Sequence, residues 1–440
     1  MQNKKTSITV IIPWLLFIFN SCGVVLPTDG ESNDKDNSTQ EDVNNRNTGE
    51  GLADGFKIIE MPEEFDTGRF IAVEKVNNER FFVGANILSG QVNDSYYVGM
   101  HWMVILVDNA GNPVESFNQG KPVVLSPDSP HELGRKSGTI TSVAFHEDKL
   151  YTAGTAWNDD ESSYEGVVYR LNMNGSMDSD FGVNGQVKLK EGSFVDINDI
   201  AIDETSGKIM LAGQLHNLNP ARPLIYQLNN DGSLNEGFGI GGALYGIESS
   251  PVGGNFSKAN AIISLGNGEF LLSGRSQGPF IAKLNIDGNV EFLTQKEGTT
   301  LSYWSEMVLL ADDSVLAIGL NDSRQTILGK FTNEGQSFET FGSEGTMILG
   351  TPQADSSSLN VDSQNRIVAT YGQFNSEPFL IRLLPDNELD EEFNQKNDTS
   401  KSKFRIIDSV ILSNDQIIGV GSKFDDDAQK ALPAIFFPKN

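Results

Sequence analysis

The stretch NGSMDSDFGVNGQV, residues 174–187, returns as DGSLNEGFGIGGAL at residues 231–244. Both copies hold an Asn-Gly or Asp-Gly step, then a Phe-Gly pair, then another glycine. The acids do not keep their places: Asp178 and Asp180 in the first copy face Asn235 and Gly237 in the second. A frame that persists while its carboxylates vary reads as a turn and a strand, not as a ligand set. Asn174-Gly175 makes the hairpin turn, Phe181 supplies a core ring, and Gly182 and Gly185 let the chain reverse.

Relics of this motif recur along the chain as VESFNQG, VEFLTQKEG, FETFGSEG and LDEEFNQ. They place Phe117, Phe181, Phe238, Phe292, Phe341 and Phe393 at intervals of roughly 50 to 65 residues, the range of four-stranded blade repeats. Ahead of each lies an apolar run that ends in a turn, such as MVILVDNAG, VVYRLNMNG and FIAKLNIDG. Ahead of that run lies a short β-rich segment ending in glycine: Gly84, Gly154, Gly213, Gly274, Gly319 and Gly421, with a degenerate copy, RIVATYGQ, at 366–373. Alternating runs with polar turns precede these in their turn, among them NDIAIDETSGK and SEMVLLADDS. Alternation punctuated by turn residues makes hairpins. No helical period interrupts the pattern. Four short strands per unit and seven units predict an all-β fold, a seven-bladed β-propeller of four-stranded antiparallel blades. The seventh unit stops after its third strand, LPAIFFPKN. The segment GFKIIEM, residues 55–61, is available to supply the missing outer strand, so the last blade is expected to close on an N-terminal strand.

Two segments, YRLNMNGSMDSDFGVNGQV and YQLNNDGSLNEGFGIGGAL, resemble delta-60 repeats, bacterial propeller repeats with an L-N-x-D-G-x-L-D-x-x-F-G-x-x-G core. The pair Phe341-Gly342 matches in part, and the other copies depart further. The resemblance extends over most of residues 68 to 440. It implies an extracytoplasmic β-propeller and implies no activity, because the repeats are structural units.

The N-terminus has its own logic. Lys4 and Lys5 precede an apolar run from Ile8 to Phe19, which is the length of a signal-peptide core and too short for a ~20-residue membrane span. It ends FIFNSCG, residues 17–23, and Cys22 is the chain's one cysteine. A small residue before a lone cysteine at this place resembles a bacterial lipoprotein box of the looser Bacteroidota-like kind. Lipidation of Cys22 is therefore expected; an ordinary secretion signal is the alternative. Residues 23–54 lack aromatic side chains and carry eight acids against two bases. Such a segment buries too little apolar surface to offset its ordering entropy. The reading is a signal peptide over 1–21, an acidic tether over 22–54 reaching on the order of 100 Å, and a propeller over 55–440. The expected place is the bacterial outer membrane, on its periplasmic or cell-surface side, held through lipid on Cys22. A monomer is expected.

A formal charge of −28 and a pI near 4.4 repel nucleic-acid phosphates, so nucleic acid is set aside as a partner. One cysteine permits no intramolecular disulfide. The four histidines, His101, His131, His146 and His216, form no metal-ligand pair. Three motifs imitate sites. GFGIGG at 237–242 has dinucleotide-loop spacing, yet ALYGIE after it reads as strand, where that motif opens a helix. GRSQG at 274–278 has nucleophile-elbow spacing but lies between two strands. The acids of DSD at 178–180 lack the closing glutamate of a calcium loop. No cofactor is expected, with a structural calcium left open at that stretch. DDD at 425–427 and NDDES at 158–162 read as solvated loops, and an acid/base pair drawn from separate blades stays open.

In a propeller, the loops joining second to third strands and each outer strand to the next blade share one face. The repeat alignment puts Trp102, Trp157, Trp304, Tyr96, Tyr97, Tyr164, Tyr303 and His101 in or beside those loops, with 86–101 and 126–139 the longest. Flat aromatic faces stack on sugar rings and on peptide side chains; the competing reading is that the rings pack between blades. Two functions follow. One is a non-catalytic binding or scaffold module for a glycan or protein. The other is a propeller enzyme acting on polysaccharide, a glycoside hydrolase or lyase. Converging carboxylates in the central channel would favour the enzyme, and an aromatic shelf would favour binding.

Overall fold

The computed structural model describes residues 55–89, 99–125, 138–158, 162–190, 194–215, 221–246, 257–276, 278–295, 302–352, 356–372, 379–397, 404–425 and 430–438. Residues 1–54, where the sequence leads one to expect a signal peptide, a tether and lipid on Cys22, lie outside them, as do Tyr96, Tyr97, His131 and His216.

Seven antiparallel sheets follow one another along the chain. Blade one holds β2 (Phe65–Lys75), β3 (Arg80–Ser89), β4 (Gly99–Asp108) and β5 (Val123–Leu125). Blade two holds β6 (Gly138–His146), β7 (Lys149–Asn158), β8 (Ser163–Asn172) and β9 (Gln186–Leu189). Blade three is β10 (Val195–Ile202), β11 (Ile209–Leu215), β12 (Arg222–Leu228) and β13 (Ala243–Tyr245). Blade four is β14 (Lys258–Gly266), β15 (Glu269–Arg275), β16 (Pro279–Asn285) and β17 (Val290–Gln295). In blade five come β18 (Tyr303–Leu309), β19 (Val315–Leu320), β20 (Gln325–Phe331) and β21 (Thr346–Pro352). Blade six has β22 (Ser356–Val361), β23 (Ile367–Gly372) and β24 (Phe379–Leu383), and blade seven has β25 (Phe404–Ile411), β26 (Ile417–Asp425) and β27 (Lys430–Phe436). The expected closure is present: β1 (Phe56–Ile58) pairs antiparallel with β27, Phe56 opposite Phe436.

Blade six differs locally from the other copies. Where the motif makes a turn in blades two and three, LDEEFNQ makes a helix, α1, over Glu391–Lys396. The local residues explain it. Asp390 caps the helix by accepting the Phe393 N–H, two glutamates occupy the first turn and Lys396 the last. Phe393 still fills the place of the repeat phenylalanine and is buried. The sheet has three strands among the described residues.

The glycine that ends each second strand has a steric cause. The inner strands carry a β-bulge near their middle, at Thr141, Asn198, Asn260, Ser305 and Ile407. A bulge bends its strand and disrupts the ladder locally. A Cβ on Gly154, Gly213, Gly274, Gly319 or Gly421 would lie between 1.8 and 2.1 Å from an inner-strand carbonyl oxygen. Blade six shows the converse: β22 and β23 pair without a register shift, and Tyr371 stands one residue before its glycine without conflict. In blade one the bulge at Ile71 faces Ala85, so Gly84 sits one place out of step with the other copies.

The Phe-Gly motif joins blades. Phe117, Phe181 and Phe238 have no exposed surface. Each lies under the Gly turn of the next blade: a Cβ on Gly175, Gly232 or Gly288 would meet Phe117, Phe181 or Phe238 at 3.0–3.4 Å. The Gly182 N–H donates to the Asp231 carbonyl at 2.8 Å across the same junction. The opening stretch is thus a blade-to-blade fastening, which is why its frame repeats and its acids need not.

Candidate functional site

The seven inner strands surround a channel. Residues from the bulges of six of them onward, with Asn360 of blade six, line a cavity of about 570 Å³. Bulge side chains reach across the blade junctions: Thr141 Oγ1 donates to the Ile197 carbonyl at 2.9 Å, Asn198 Nδ2 to that of Ala259 at 2.7 Å, and Asn260 Nδ2 to that of Trp304 at 2.6 Å. The residue after the bulge is a carboxylate in three blades: Asp199, Glu306 and Asp408. Each accepts a main-chain N–H from the next inner strand. Asp199 accepts from Ile262 at 2.9 Å, Asp408 accepts from Val73 at 2.8 Å, and Glu306 accepts from Leu359. Asp199 also accepts from the Ser142 hydroxyl at 2.8 Å. Ser358 does the same work in blade six, its Oγ accepting the Ser409 N–H at 3.1 Å. In blade one the equivalent is Ala72, and Glu74 follows two residues later.

Four carboxyl groups therefore share one channel; burial raises all of them, and repulsion between them adds to it at Glu74, Asp199 and Glu306. Glu74 is pushed up to about 8, by burial first and then by the charges of Asp408 and Asp199. Burial carries Asp199 and Asp408 to about 6 against the pull of their hydrogen bonds. Glu306 is held well above the ordinary carboxylate range, again chiefly by burial. Unfolded carboxyls titrate near ~4. The folded state thus binds the extra protons, and the stability they contribute is present below that pH. It is lost as pH rises through about 6 for the two aspartates and about 8 for Glu74. The melting temperature should fall between pH ~5 and ~9, and Glu74→Gln should flatten the upper part of that fall. An identical slope in the variant would show that Glu74 does not keep its proton.

The opposite face of the ring, where inner strands begin and second strands end, has different chemistry. Two residues before the bulges stand Arg69, Thr139, Asp196, Lys258, Tyr303 and Arg405. Lys258 is the cross-strand partner of Arg275. Both cations lie 5.8 Å from the centre of the Tyr303 ring. Burial, the neighbouring Arg275 charge and the opposing pull of Asp196 leave Lys258 lowered to about 8. On the other side of Asp196, three half-buried rings meet. Trp157 and Tyr164 pair across a hairpin with centroids 4.9 Å apart, and Phe194 lies 6.1 and 5.6 Å from them. Burial and the Asp196 charge raise the Tyr164 hydroxyl.

The aromatic residues singled out in the sequence separate into two groups. All the described ones are on strands, because the hairpins pair further than the alignment assumed: β3 and β4 stay in register to Ser89 and Gly99. Trp102 has no exposed surface and meets Tyr169 edge-on at 5.5 Å between blades one and two. Trp304 is 3% exposed and meets Phe331 at 5.5 Å. These two rings are core, and a ring without free surface offers nothing to stack on. His101 lies half-buried with its ring 5.2 Å from Phe65. Trp157, Tyr164 and Tyr303 keep part of their surface at the channel mouth.

Missed entirely were Phe194, the Lys258–Arg275 pair and the channel carboxylates. A signal existed for the last: the polar dipeptides heading the inner-strand runs, Asn198-Asp199, Ser305-Glu306 and Asp408-Ser409, are the staples.

The imitations resolve as structure. After GFGIGG comes the strand β13, and Gly239, Gly241 and Gly242 adopt positive φ in the turn. Ser276 is buried in the turn between β15 and β16, its N–H bonded to the Gly278 carbonyl. Asp178 is held by Arg170 at 2.8 Å and Lys149 at 2.9 Å. Among the described residues no group of three or more His, Cys, Asp or Glu is placed to hold a metal ion.

The sheets, their radial order and the closing strand make this a seven-bladed β-propeller. Residues 148–181 and 205–238 match the family described as a domain of unknown function (DUF5122) β-propeller. The matches centre on the second and third blades, each ending at the repeat phenylalanine. No curated protein matches the chain. Among solved structures, it resembles the β-propeller domain of the Trilobed protease from Pyrococcus furiosus, with 10% identity, 86% of this chain and 95% of that chain covered, and a TM-score of 0.47. A protein of unknown function from Bacteroides caccae is 12% identical over 64% of this chain and 85% of that one, with a TM-score of 0.40. Trypanosoma rangeli sialidase in complex with sialic acid is 10% identical over 85% of this chain and 54% of that one, with a TM-score of 0.42.

Proposed function

We propose that the protein is a non-catalytic binding module for a glycan or protein, carried on the outer membrane by lipid on Cys22 and working without a cofactor. The observation that carries this reading is the half-exposed aromatic group Trp157, Tyr164 and Phe194, with Tyr303 on the same face. Rigid rings at strand ends offer stacking surface at small entropic cost. The channel carboxylates favour the same reading. Asp199, Glu306 and Asp408 are committed to main-chain N–H groups of neighbouring blades, so their recurrence has an architectural cause. Glu74 is the feature an acid–base enzyme would use, since a carboxyl raised to about 8 keeps its proton for transfer at neutral pH.

A glycan array tests the reading, with Trp157→Ala as the site variant. Its ring sits at the edge of the sheet, so its loss should abolish binding while the fold persists. Trp102→Ala and Trp304→Ala should instead lower stability, by ~3–5 kcal/mol, as truncated core rings do. Undiminished binding by Trp157→Ala would remove this face from consideration, and turnover lost in Glu74→Gln would favour the enzyme. In membrane fractionation, Cys22→Ala should move the protein to the soluble fraction.

A further inference from the structure

The fastening that joins neighbouring blades is altered between blades five and six. At the entry to each of blades one to four, a glycine of the last turn lies on a phenylalanine of the preceding blade. A Cβ on Gly111, Gly175, Gly232 or Gly288 would stand 2.8–3.4 Å from Phe437, Phe117, Phe181 or Phe238. In blade six the same turn, closed by the Asn387 N–H on the Leu384 carbonyl at 2.8 Å, carries Asn387 at a φ of 69°. A side chain thus stands where the other copies have none. The side-chain tie differs too. Arg170 and Gln227 donate to the Asn230 and Ile286 carbonyls of the next blade. Lys330, at the equivalent place, turns back to Asp312 of its own blade at 3.4 Å. The blades stand apart in consequence. A cleft of about 450 Å³ has Leu310, Leu316 and Phe341 on one wall and Val361, Ile367 and Pro385 on the other. Phe341 is 5% exposed, whereas Phe117, Phe181 and Phe238 have no exposed surface. Of the seven neighbouring pairs of inner strands, β18 and β22 are in the least contact among the described residues. The ties that remain include the Leu359 N–H on Glu306 and the Tyr371 hydroxyl on the Leu349 carbonyl at 3.2 Å.

We propose that the junction of blades five and six is a built-in seam. The ring parts there while the other junctions, the N-terminal closure included, stay shut, and the channel widens from that side. Packing energy is the sum of many small contacts, so a junction that has lost its filled centre and its cross-blade donor opens at lower cost than its neighbours. The bond between Glu306 and Leu359 is the tie that breaks at the channel wall.

Thiol labelling of the native protein tests the seam. Ala85, Ala153, Ala212 and Ala369 have no exposed surface and lie in the cores that join blade seven to one, two to three, three to four and five to six. Ala85→Cys, Ala153→Cys, Ala212→Cys and Ala369→Cys, each made singly in a chain carrying Cys22→Ser, give one thiol for each junction. Ala369→Cys should be labelled at least ~10-fold faster than the other three, and with a weaker dependence on urea than global unfolding has. Adding Lys330→Arg and Asn387→Gly, which restores the parts found between blades two and three, should slow that labelling to the rate of Ala153→Cys. Adding Asn184→Gly instead, which frees another left-handed asparagine at a φ of 54° in the blade-two turn, should leave it unchanged. Hydrogen exchange of the unsubstituted chain guards against an effect of the cysteines. The Leu359 amide should exchange ~10-fold faster than the Ile262 amide, which Asp199 holds in the same way. Equal labelling of all four variants, or fastest labelling of Ala85→Cys, would overturn the seam. So would labelling of Ala369→Cys with the urea dependence of global unfolding, labelling that the paired substitution leaves as fast, or equal exchange at Leu359 and Ile262.

Discussion

Replacing Arg170 by Ala should cost the protein about 3–5 kcal/mol, the usual penalty for breaking a buried ion pair from one side. Arg170 and Asp178 are both almost fully buried, with Nε 2.8 Å from the carboxylate. The guanidinium also contacts the carbonyl and side chain of Asn230 in the next blade and lies 4.6 Å from the centre of the Phe181 ring. Without it, Asp178 keeps Lys149 as its charged partner and the Asp180 N–H as a donor. The folded-state pKa of Asp178 is lowered by Lys149, by the Asp180 N–H and by Arg170, so its contribution persists at neutral pH and is lost on acidification.

The same chain supplies the control for that substitution. Eight residues separate Arg170 from Asp178, and the same spacing joins Gln227 to Asn235, Lys283 to Glu291 and Arg382 to Asp390. Blade three thus fills the place of the ion pair with an amide pair. Arg170→Gln with Asp178→Asn should therefore recover most of the stability that either change loses alone. Chemical unfolding of the two single variants and the double variant measures the coupling, expected at 2 kcal/mol or more. Additive losses would mean that the two side chains stabilise the blade through separate contacts.

This exchange also explains what the sequence could disclose. Phe181 and Gly182 must be what they are in every well-kept copy, because the ring fills the blade junction and the next turn rests on it. Repetition exposes such positions. Asp178 is exchangeable only together with Arg170, so a comparison of acids alone finds disorder where a comparison of pairs finds a rule. The second-strand glycines were legible as a pattern, yet their cause, the bulge opposite, is a matter of register that spacing does not reveal. Trp102 and Trp304 were misplaced for a related reason: a strand's end is set by its partner's pairing, and a ring at a strand's end faces either a neighbouring blade or solvent. Lys258 and Arg275 are seventeen residues apart and become a pair only when β14 and β15 align. In blade six the motif's turn became a helix through local chemistry: Asp390, Glu391 and Glu392 make a helix start on an otherwise recognisable motif.

Deleting residues 55–61 should lower the melting temperature by on the order of 5–10 °C for a chain of this size and make the protein prone to aggregation. The segment contributes the register Phe56–Phe436, Lys57–Ile435 and Ile58–Ala434, a bond from the Ile59 N–H to the Pro433 carbonyl at 2.9 Å, and one from the Phe437 N–H to the Gly55 carbonyl at 2.7 Å. Each main-chain bond contributes ~1 kcal/mol net, and the buried Ile59 side chain ~2 kcal/mol more. Ile59 packs with Phe65, Leu412 and Ile435, so its loss loosens blade one as well as blade seven. The deletion leaves other ties between these blades in place: Asp408 to the Val73 N–H at 2.8 Å, Thr67 Oγ1 to the Ala431 carbonyl at 2.8 Å and Gln416 Nε2 to the Asn109 carbonyl at 3.0 Å. The ring should therefore weaken at this junction before it opens. Its new edge is β27, whose sequence KALPAIF combines apolar residues with unpaired main-chain groups, a template for pairing with a second molecule. Adding the peptide GFKIIEM in trans should restore part of the lost stability. A melting curve that neither the deletion nor the peptide moves would show that blade seven closes without its N-terminal strand.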